Sequence, residues 1–301
     1  MKPIEKVSSK INLWTNRRFQ EKLIKTVVYM LIFVGAIVFL IPFFWMASTS
    51  LKFPSQVMSF PPEWIPNPIR WENYLRIFHL ESIPLILYLK NSLVYCTTVM
   101  IGMVMSSSLV AFAFARLRFR GSTTLFFLLL ATMMIPFQIT MIPLFMFFSR
   151  LKWINSYKPL IIPAFFANPY YVFLLRQFFA SIPQEMDDAA KIDGCGFFSI
   201  YSKIILPSSK PAHGIVAVFC FTATWQGFLY PLIYLNDPEK FPISLGLLTF
   251  QQTGGAGAVA GGINWELLMA VSIISLLPVL VLFFIAQKYY IQGIVLTGVK
   301  G

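Results

Sequence analysis

Charge is scarce in this chain, and negative charge is scarcest. Only 12% of its 301 residues are Asp, Glu, Lys or Arg, about half the share found in a soluble domain. The acidic residues number 12 against 24 basic ones. The three cysteines, Cys96, Cys195 and Cys220, are scattered and odd in number, so they imply neither a disulfide framework nor a metal framework and leave the redox compartment unread. The two histidines, His79 and His213, stand outside any His-x-x-x-His or Cys/His cluster. There is no G-x-S-x-G, no G-x-x-x-x-G-K-[ST] and no H-E-x-x-H. An enzyme at a membrane needs an acid–base or metal constellation, and the sequence carries none of these. The Gly-rich run GGAGAVAGG at 254–262 is followed by no Lys-Ser/Thr and preceded by no apolar strand, so it reads as a flexible linker and not as a phosphate cradle.

What the chain has in abundance is apolar surface: 57% of it is hydrophobic, with 31 Phe. A bilayer core of ~30 Å asks for ~20 helical residues. Six uncharged runs are of that order: 26–51, 91–115, 121–149, 159–175, 211–236 and 267–287. The expected fold is therefore an all-α integral membrane protein with six transmembrane helices and both termini on one side. None of the six runs contains a carboxylate, which argues against proton or sodium coupling.

Lys and Arg orient the spans. With the termini inside, the tail before residue 26 holds seven, the loop after the second span three, the region after the fourth span four and the C-terminal end two: sixteen of the 24. Arg150, Lys152 and Lys158 fall on the other side. The net charge of +12 is thus a topology signal and not a nucleic-acid surface. The segment before the first span is too long, and that span too extended, for a cleaved secretory signal. The division expected is a cytoplasmic N-terminal segment (1–26), one membrane domain (27–289) and a cytoplasmic C-terminal tail (290–301).

Three stretches carry polar or aromatic groups where a span would not need them. Residues 52–83, with Pro54, Pro61, Pro62, Trp64, Trp71 and Tyr74, lie along the outer interface, as an anchor or as a docking surface. In the third run, Pro136 and Pro143 bend the helix around Gln138, a side chain for a solute path or for an interhelical hydrogen bond. In the fifth, Trp225, Gln226, Tyr230 and Tyr234 form a polar, aromatic face suited to sugar rings or to packing on a partner helix. Asn91 opens the second run at the interface.

The stretch that organises the rest is acidic. Glu185, Asp187, Asp188 and Asp193 are four of the twelve carboxylates, within nine residues. Anionic lipid attracts Lys and Arg instead, so a protein partner with a basic groove is the better match. Ser181 and Gln184 have capping-box spacing, with Pro183 in a first turn. Ala189 and Ala190 permit close approach. Gly194 and Gly196 stop the helix. A second piece carries Phe197, Tyr201 and Ile204 on an apolar base and ends at Pro207. The expected form is a helix–turn–helix bracket over 181–207.

The spacing Asp188-Ala189-Ala190, Gly194, Ile204-x-Leu206-Pro207 resembles the E-A-A…G…I-x-L-P loop of ATP-binding-cassette importer permeases of the carbohydrate-uptake, maltose type. Asp187 and Asp188 stand where that family usually has two Glu, one methylene longer. "PPEWIPNPIRWENYLRIF", "MMIPFQITMIPLF", "TATWQGFLYPLIYLND" and the C-terminal "YYIQGIVLTGVKG" are similar to its permeases, although Gln226-Gly227 departs from the usual Asn-x. The resemblance implies a sugar or oligosaccharide permease of a bacterial cell membrane that works by alternating access. It implies a second homologous permease, two ATPase subunits that hold ATP and Mg, and an extracytoplasmic solute-binding protein. No cofactor and no catalytic residue is expected on this chain. Glu185, Asp187, Asp188, Ala189, Ala190, Gly194, Leu206 and Pro207 would then couple to the ATPase, and Gln138, Trp225, Gln226 and Tyr230 would face the sugar path. A permease of the same machinery for a polyamine or a phosphonate is the alternative, and a stand-alone secondary transporter a more distant one.

Overall fold

The computed structural model describes residues 17–80, 84–253 and 263–298. The Gly-rich run, most of the N-terminal tail and the last three residues lie outside them. Ten helices set the architecture: α1 (Arg17–Ser50), α2 (Leu85–Arg116), α3 (Ser122–Ala131), α4 (Phe137–Arg150), α5 (Pro169–Ser181), α6 (Glu185–Ile192), α7 (Lys210–Gln226), α8 (Leu229–Tyr234), α9 (Ile243–Thr253) and α10 (Trp265–Gly298). The described residues contain no strand.

Four stretches are long and apolar enough to cross a membrane: Gln20–Ser50, Leu85–Arg116, Lys158–Ser181, in which Ala167 and Asn168 interrupt the helix, and Trp265–Gln287. The third expected run is bent, and so is the chain just ahead of the fifth. Ser122–Met134 and Phe137–Arg150 meet at 94°, and Phe197–Ser208 and Lys210–Gln226 at 78°. The first bend sits at Pro136, because Ile135, as a residue before proline, is extended (φ −80°, ψ 112°). Pro143 lies inside α4 without breaking it. The second bend falls at Ser209, before Pro211 in the first turn of α7. The expected run 211–236 is not one helix either. It stops at Gln226, where Gly227 turns to ψ 116° and the chain re-enters helix at Leu229.

The core is built around α2, which packs on α5, α7 and α9, while α10 packs on α7 and α1. Leu85, Tyr88, Cys96 and Val99 of α2 are buried with Val172, Leu175 and Phe179 of α5 and Val216 and Cys220 of α7. Close approach depends on small residues. A Cβ on Gly102 would lie 2.7 Å from the Phe165 ring, and one on Gly246 of α9 would run into Tyr88. In contrast, α1 leaves its apolar length uncovered, Phe39 and Tyr29 included.

At 1.5 Å per residue, α2 is roughly 48 Å long, and it separates two ends of the bundle. Its last residue, Arg116, meets the acidic helix α6. Its first turns meet α9 and the 237–241 turn. Asn91 donates to the carbonyls of Glu239 and Phe241 (2.8 and 3.1 Å), and Ser92 Oγ accepts from the Ile243 N–H (2.6 Å). Near the same end, the 52–80 segment is pinned to the top of α1. Asn73 donates to the carbonyls of Ser50 and Lys52 (both 2.9 Å), and Ser48 Oγ donates to that of Trp64 (2.6 Å). Lys52 is buried with its Nζ 4.0 Å from the centre of the Trp45 ring. Burial pushes its pKa down, and Glu63 opposes the shift.

One expectation about charge is overturned. The last span begins at Trp265, so Glu266 is in it, buried at 2% exposure. It sits at the span's end, within electrostatic reach of Arg76 and Arg70. Those countercharges offset only part of the cost of burial, and a carboxylate in the middle of the bilayer would have none.

Candidate functional site

The helix α6 starts later than its spacing suggests. Ser181 closes α5 by donating to the Phe178 carbonyl (2.7 Å) and caps nothing. Ile182, ahead of Pro183, is extended, and Gln184 precedes the first turn without a side-chain cap. Glu185, Asp187 and Asp188 stand in that first turn and Lys191 in the last, in accord with the helix dipole. At the other end the Gly194 N–H donates to the Lys191 carbonyl (3.0 Å) and the Cys195 N–H to that of Ala190 (2.9 Å). This paired closure needs a left-handed residue after the helix, and Gly194 has φ +79°. Gly196 is not left-handed. It is extended (φ −75°) and begins the next helical piece.

The helical repeat sorts the acidic residues onto two faces. Asp187 and Ala190, three apart, face the bundle and are buried (4% and 7% exposed). Asp187 Oδ2 lies 3.5 Å from Arg116 Nε, and Arg116 Nη2 donates to the Ile182 carbonyl (2.8 Å). Asp187 therefore belongs to the attachment of the bracket and not to its outer edge, which corrects the expectation that it reaches a partner. Glu185, Asp188 and Ala189 are exposed. Among the described residues Asp188 pairs only with exposed Lys191 (2.8 Å), a contact worth little.

Three side chains escaped sequence reasoning, and a fourth, Phe197, lies on a different face from the one expected. Met186, Ile192, Phe197 and Phe198 are exposed beside the carboxylates, Ile192 at 87% and Phe198 at 75%. Phe197 was expected on the buried base, a place taken instead by Ile200, Tyr201 and Ile205. The signal available was that Ile192 is out of step with the buried pair 187 and 190. An acidic rim around large apolar side chains is the composition of a protein-docking face, not of a lipid-facing one.

Behind the bracket, Tyr201–Ile205 is a π-helical turn, and a buried polar chain runs from it to α2. His213 Nδ1 lies 2.9 Å from the Ser209 carbonyl, which can only accept, so Nδ1 carries the proton. Nε2 then accepts from Ser108 of α2 (2.7 Å), and Ser108 accepts from Tyr201 (2.8 Å). Leu206 and Pro207 are exposed and line an open pocket with Lys210 and His213. The bracket is thus held to the second span at two places, Arg116 and Ser108.

The four residues expected on a solute path separate into two pairs. Gln138 and Tyr230 are exposed and lie near each other, since the neighbouring Phe137 ring is 4.3 Å from that of Tyr230. Trp225 is buried. Its Nε1 donates to the Ser275 carbonyl of α10 (3.0 Å) and its ring stacks on Phe221, so the indole packs on the last span. Gln226 is exposed next to it. Among the described residues no three His, Cys, Asp or Glu side chains gather in a way that could hold a metal ion.

Comparison with known proteins agrees with this architecture. The chain is 34% identical over 236 residues to the arabinooligosaccharides transport system permease protein AraQ of Halalkalibacterium halodurans, covering 78% of this chain and 81% of AraQ. It is 31% identical over 268 residues to the trehalose/maltose transport system permease protein MalG of Thermococcus litoralis, covering 88% and 93%. Its fold matches a chain in the crystal structure of a bacterial ABC transporter involved in the import of the acidic polysaccharide alginate. That match has a TM-score of 0.77 at 22% identity and covers 90% of this chain and 98% of the other. Residues 98–295, which include the acidic bracket and its attachment to α2, match the binding-protein-dependent transport system inner membrane component family, and the chain belongs to that family.

Proposed function

We propose that this chain is the sugar-translocating permease subunit of an ATP-driven importer. The observation that carries the proposal is the exposed face of α6, where Glu185 and Asp188 rim Met186, Ile192 and Phe198 at one end of the bundle. A basic groove with an apolar floor complements it, and in this family's machinery that groove belongs to an ATPase. ATP and Mg are then held by two ATPase subunits and not by this chain. The end carrying α6 and both termini faces the cytoplasm, in keeping with the excess of Lys and Arg there. The opposite end, with the pinned 52–80 segment, receives solute from an extracytoplasmic binding protein. The uncovered length of α1 packs against a second homologous permease in a bacterial cell membrane.

The cycle follows from the attachments. When the ATPase pair closes on ATP, the bracket moves with it. Arg116 and the Tyr201–Ser108–His213 chain pass the displacement to α2 and α7, and the path opens outward; hydrolysis resets it. The saccharide class comes from the arabinooligosaccharide and trehalose/maltose relatives and from the amide and aromatic groups Gln226, Gln138 and Tyr230 near the expected path.

The test is reconstitution of the chain with its second permease, ATPase and binding protein in liposomes. Labelled arabinotriose, maltotriose or trehalose should enter only with ATP. Uptake driven by an ion gradient without ATP would make this a secondary carrier. Carriage of a polyamine or phosphonate with no saccharide taken up would move the substrate class.

A further inference from the structure

At the end of α2 remote from the acidic helix, α7, α9 and α10 line an open pocket of about 470 Å³, within the range of small-molecule sites. Its walls are neither dry nor charged. Trp225 and Trp265 supply aromatic surface, and Gln226, Ser244, Gln251 and Ser272 supply polar groups.

The polar groups are not equivalent. Ser244 Oγ donates to the Gly227 carbonyl (3.0 Å) and Ser272 Oγ to that of Leu268 (2.8 Å). Each hydroxyl has used its one donor on the backbone and keeps acceptor lone pairs for the cavity. Trp225 is fixed by its bond to Ser275 and by Phe221. The exposed side chains of Gln226 and Gln251 make no hydrogen bond with any described residue, and each amide offers two donors and an acceptor. One comes from α7 and the other from α9, so they approach the space from different helices. Fixed acceptors, two uncommitted amides and aromatic walls match a ring that carries hydroxyls on its edge and C–H groups on its face.

The cavity also excludes a class. Among the described residues no Lys, Arg, Asp or Glu lines it, and the sequence from Phe241 to Trp265 contains none. A uronate or phosphate here would lose water without gaining a countercharge. We infer that this cavity is a subsite for an uncharged sugar ring on this subunit itself, with Gln226 and Gln251 reading the ring's hydroxyls. The inference rests on the sugar-permease reading and adds the site and the charge class.

The experiment uses the complete reconstituted importer with saturating binding protein. The probe is whichever of arabinotriose, maltotriose and trehalose the wild type takes up. The first readout is sugar delivered per ATP hydrolysed. Gln226→Ala/Gln251→Ala should lower this ratio about tenfold, the loss expected for two amide contacts. The second readout needs no transport. The probe sugar should slow maleimide labelling of Gln251→Cys in the purified complex, whereas a mannuronate trimer at the same concentration should not. A wild-type ratio with no protection overturns the subsite and leaves the sugar reading standing. Equal protection by the mannuronate trimer overturns the charge class. A fall in ATP hydrolysis and uptake in equal proportion assigns the two glutamines to binding-protein docking and overturns the proposal. Failure of the wild type to take up any of the three sugars removes the sugar reading, and the subsite with it.

Discussion

Replacing Arg116 by Ala isolates one of the two attachments of the acidic bracket. Its guanidinium Nε and the Asp187 carboxylate are 3.5 Å apart, with side chains only 6% and 5% exposed. At an effective dielectric constant of ~20, unit charges at that distance attract by roughly 5 kcal/mol. Burial has already cost part of that, so the pair's net worth is smaller. Removal of one partner is a different quantity, because it leaves the other charge buried alone, and it costs about 3–5 kcal/mol. The bond from Nη2 to the Ile182 carbonyl adds about 1 kcal/mol. The spans are stabilised by their own packing, so the loss falls on local opening of α6. At 1.36 kcal/mol per power of ten, that is roughly three to four and a half decades of lost protection. Hydrogen exchange of the 185–192 amides in nanodiscs reads it directly. Asp187→Ala should open the same segment. Arg116→Met/Asp187→Leu should recover most of the protection, since it leaves no buried charge unpaired. Wild-type exchange in both single variants, or a double variant as open as either, would refute the electrostatic attachment.

Gly194→Val should cost about 1–2 kcal/mol from its left-handed backbone alone, because a Cβ there meets no atom within 4 Å. ATP-driven uptake should fall while pairing with the second permease survives; full coupling would mean the turn is not part of the docking surface. Asp188→Lys should weaken co-purification of the ATPase, most at low salt, with no change in melting temperature because its pair with Lys191 is exposed. Ile192→Ser/Phe198→Ser should loosen the ATPase at any ionic strength, since both side chains are exposed and apolar; retention of the ATPase in high salt would place the docking energy elsewhere. Tyr201→Phe removes the donor to Ser108 (2.8 Å) and should cost about 1 kcal/mol. It should raise ATP hydrolysed per sugar delivered, and an unchanged ratio would make the polar chain a packing feature only.

Runs of apolar residues near the bilayer's thickness decided by themselves that this chain crosses a membrane several times, because lipid requires each span's backbone to be satisfied within it. Local chemistry also placed two breaks correctly. Pro136 forces an extended residue before it, and Gly194 takes a backbone that other residues resist. The acidic bracket stood out because charge is so rare elsewhere. Which of its carboxylates is free was not legible, since Asp187 and Asp188 are chemically the same. Only the arrival of Arg116, 71 positions earlier in the chain, buries one and leaves the other in solvent. The same holds for Trp225, whose indole is committed to the Ser275 carbonyl 50 residues away. Glu266 lay one residue outside an uncharged run, and the helix that starts at Trp265 drew it into the last span. The cavity between α7, α9 and α10 depends on three segments distant in sequence. Local pattern reads what one residue does to its own backbone, but the partners of a polar side chain are chosen by how the helices pack.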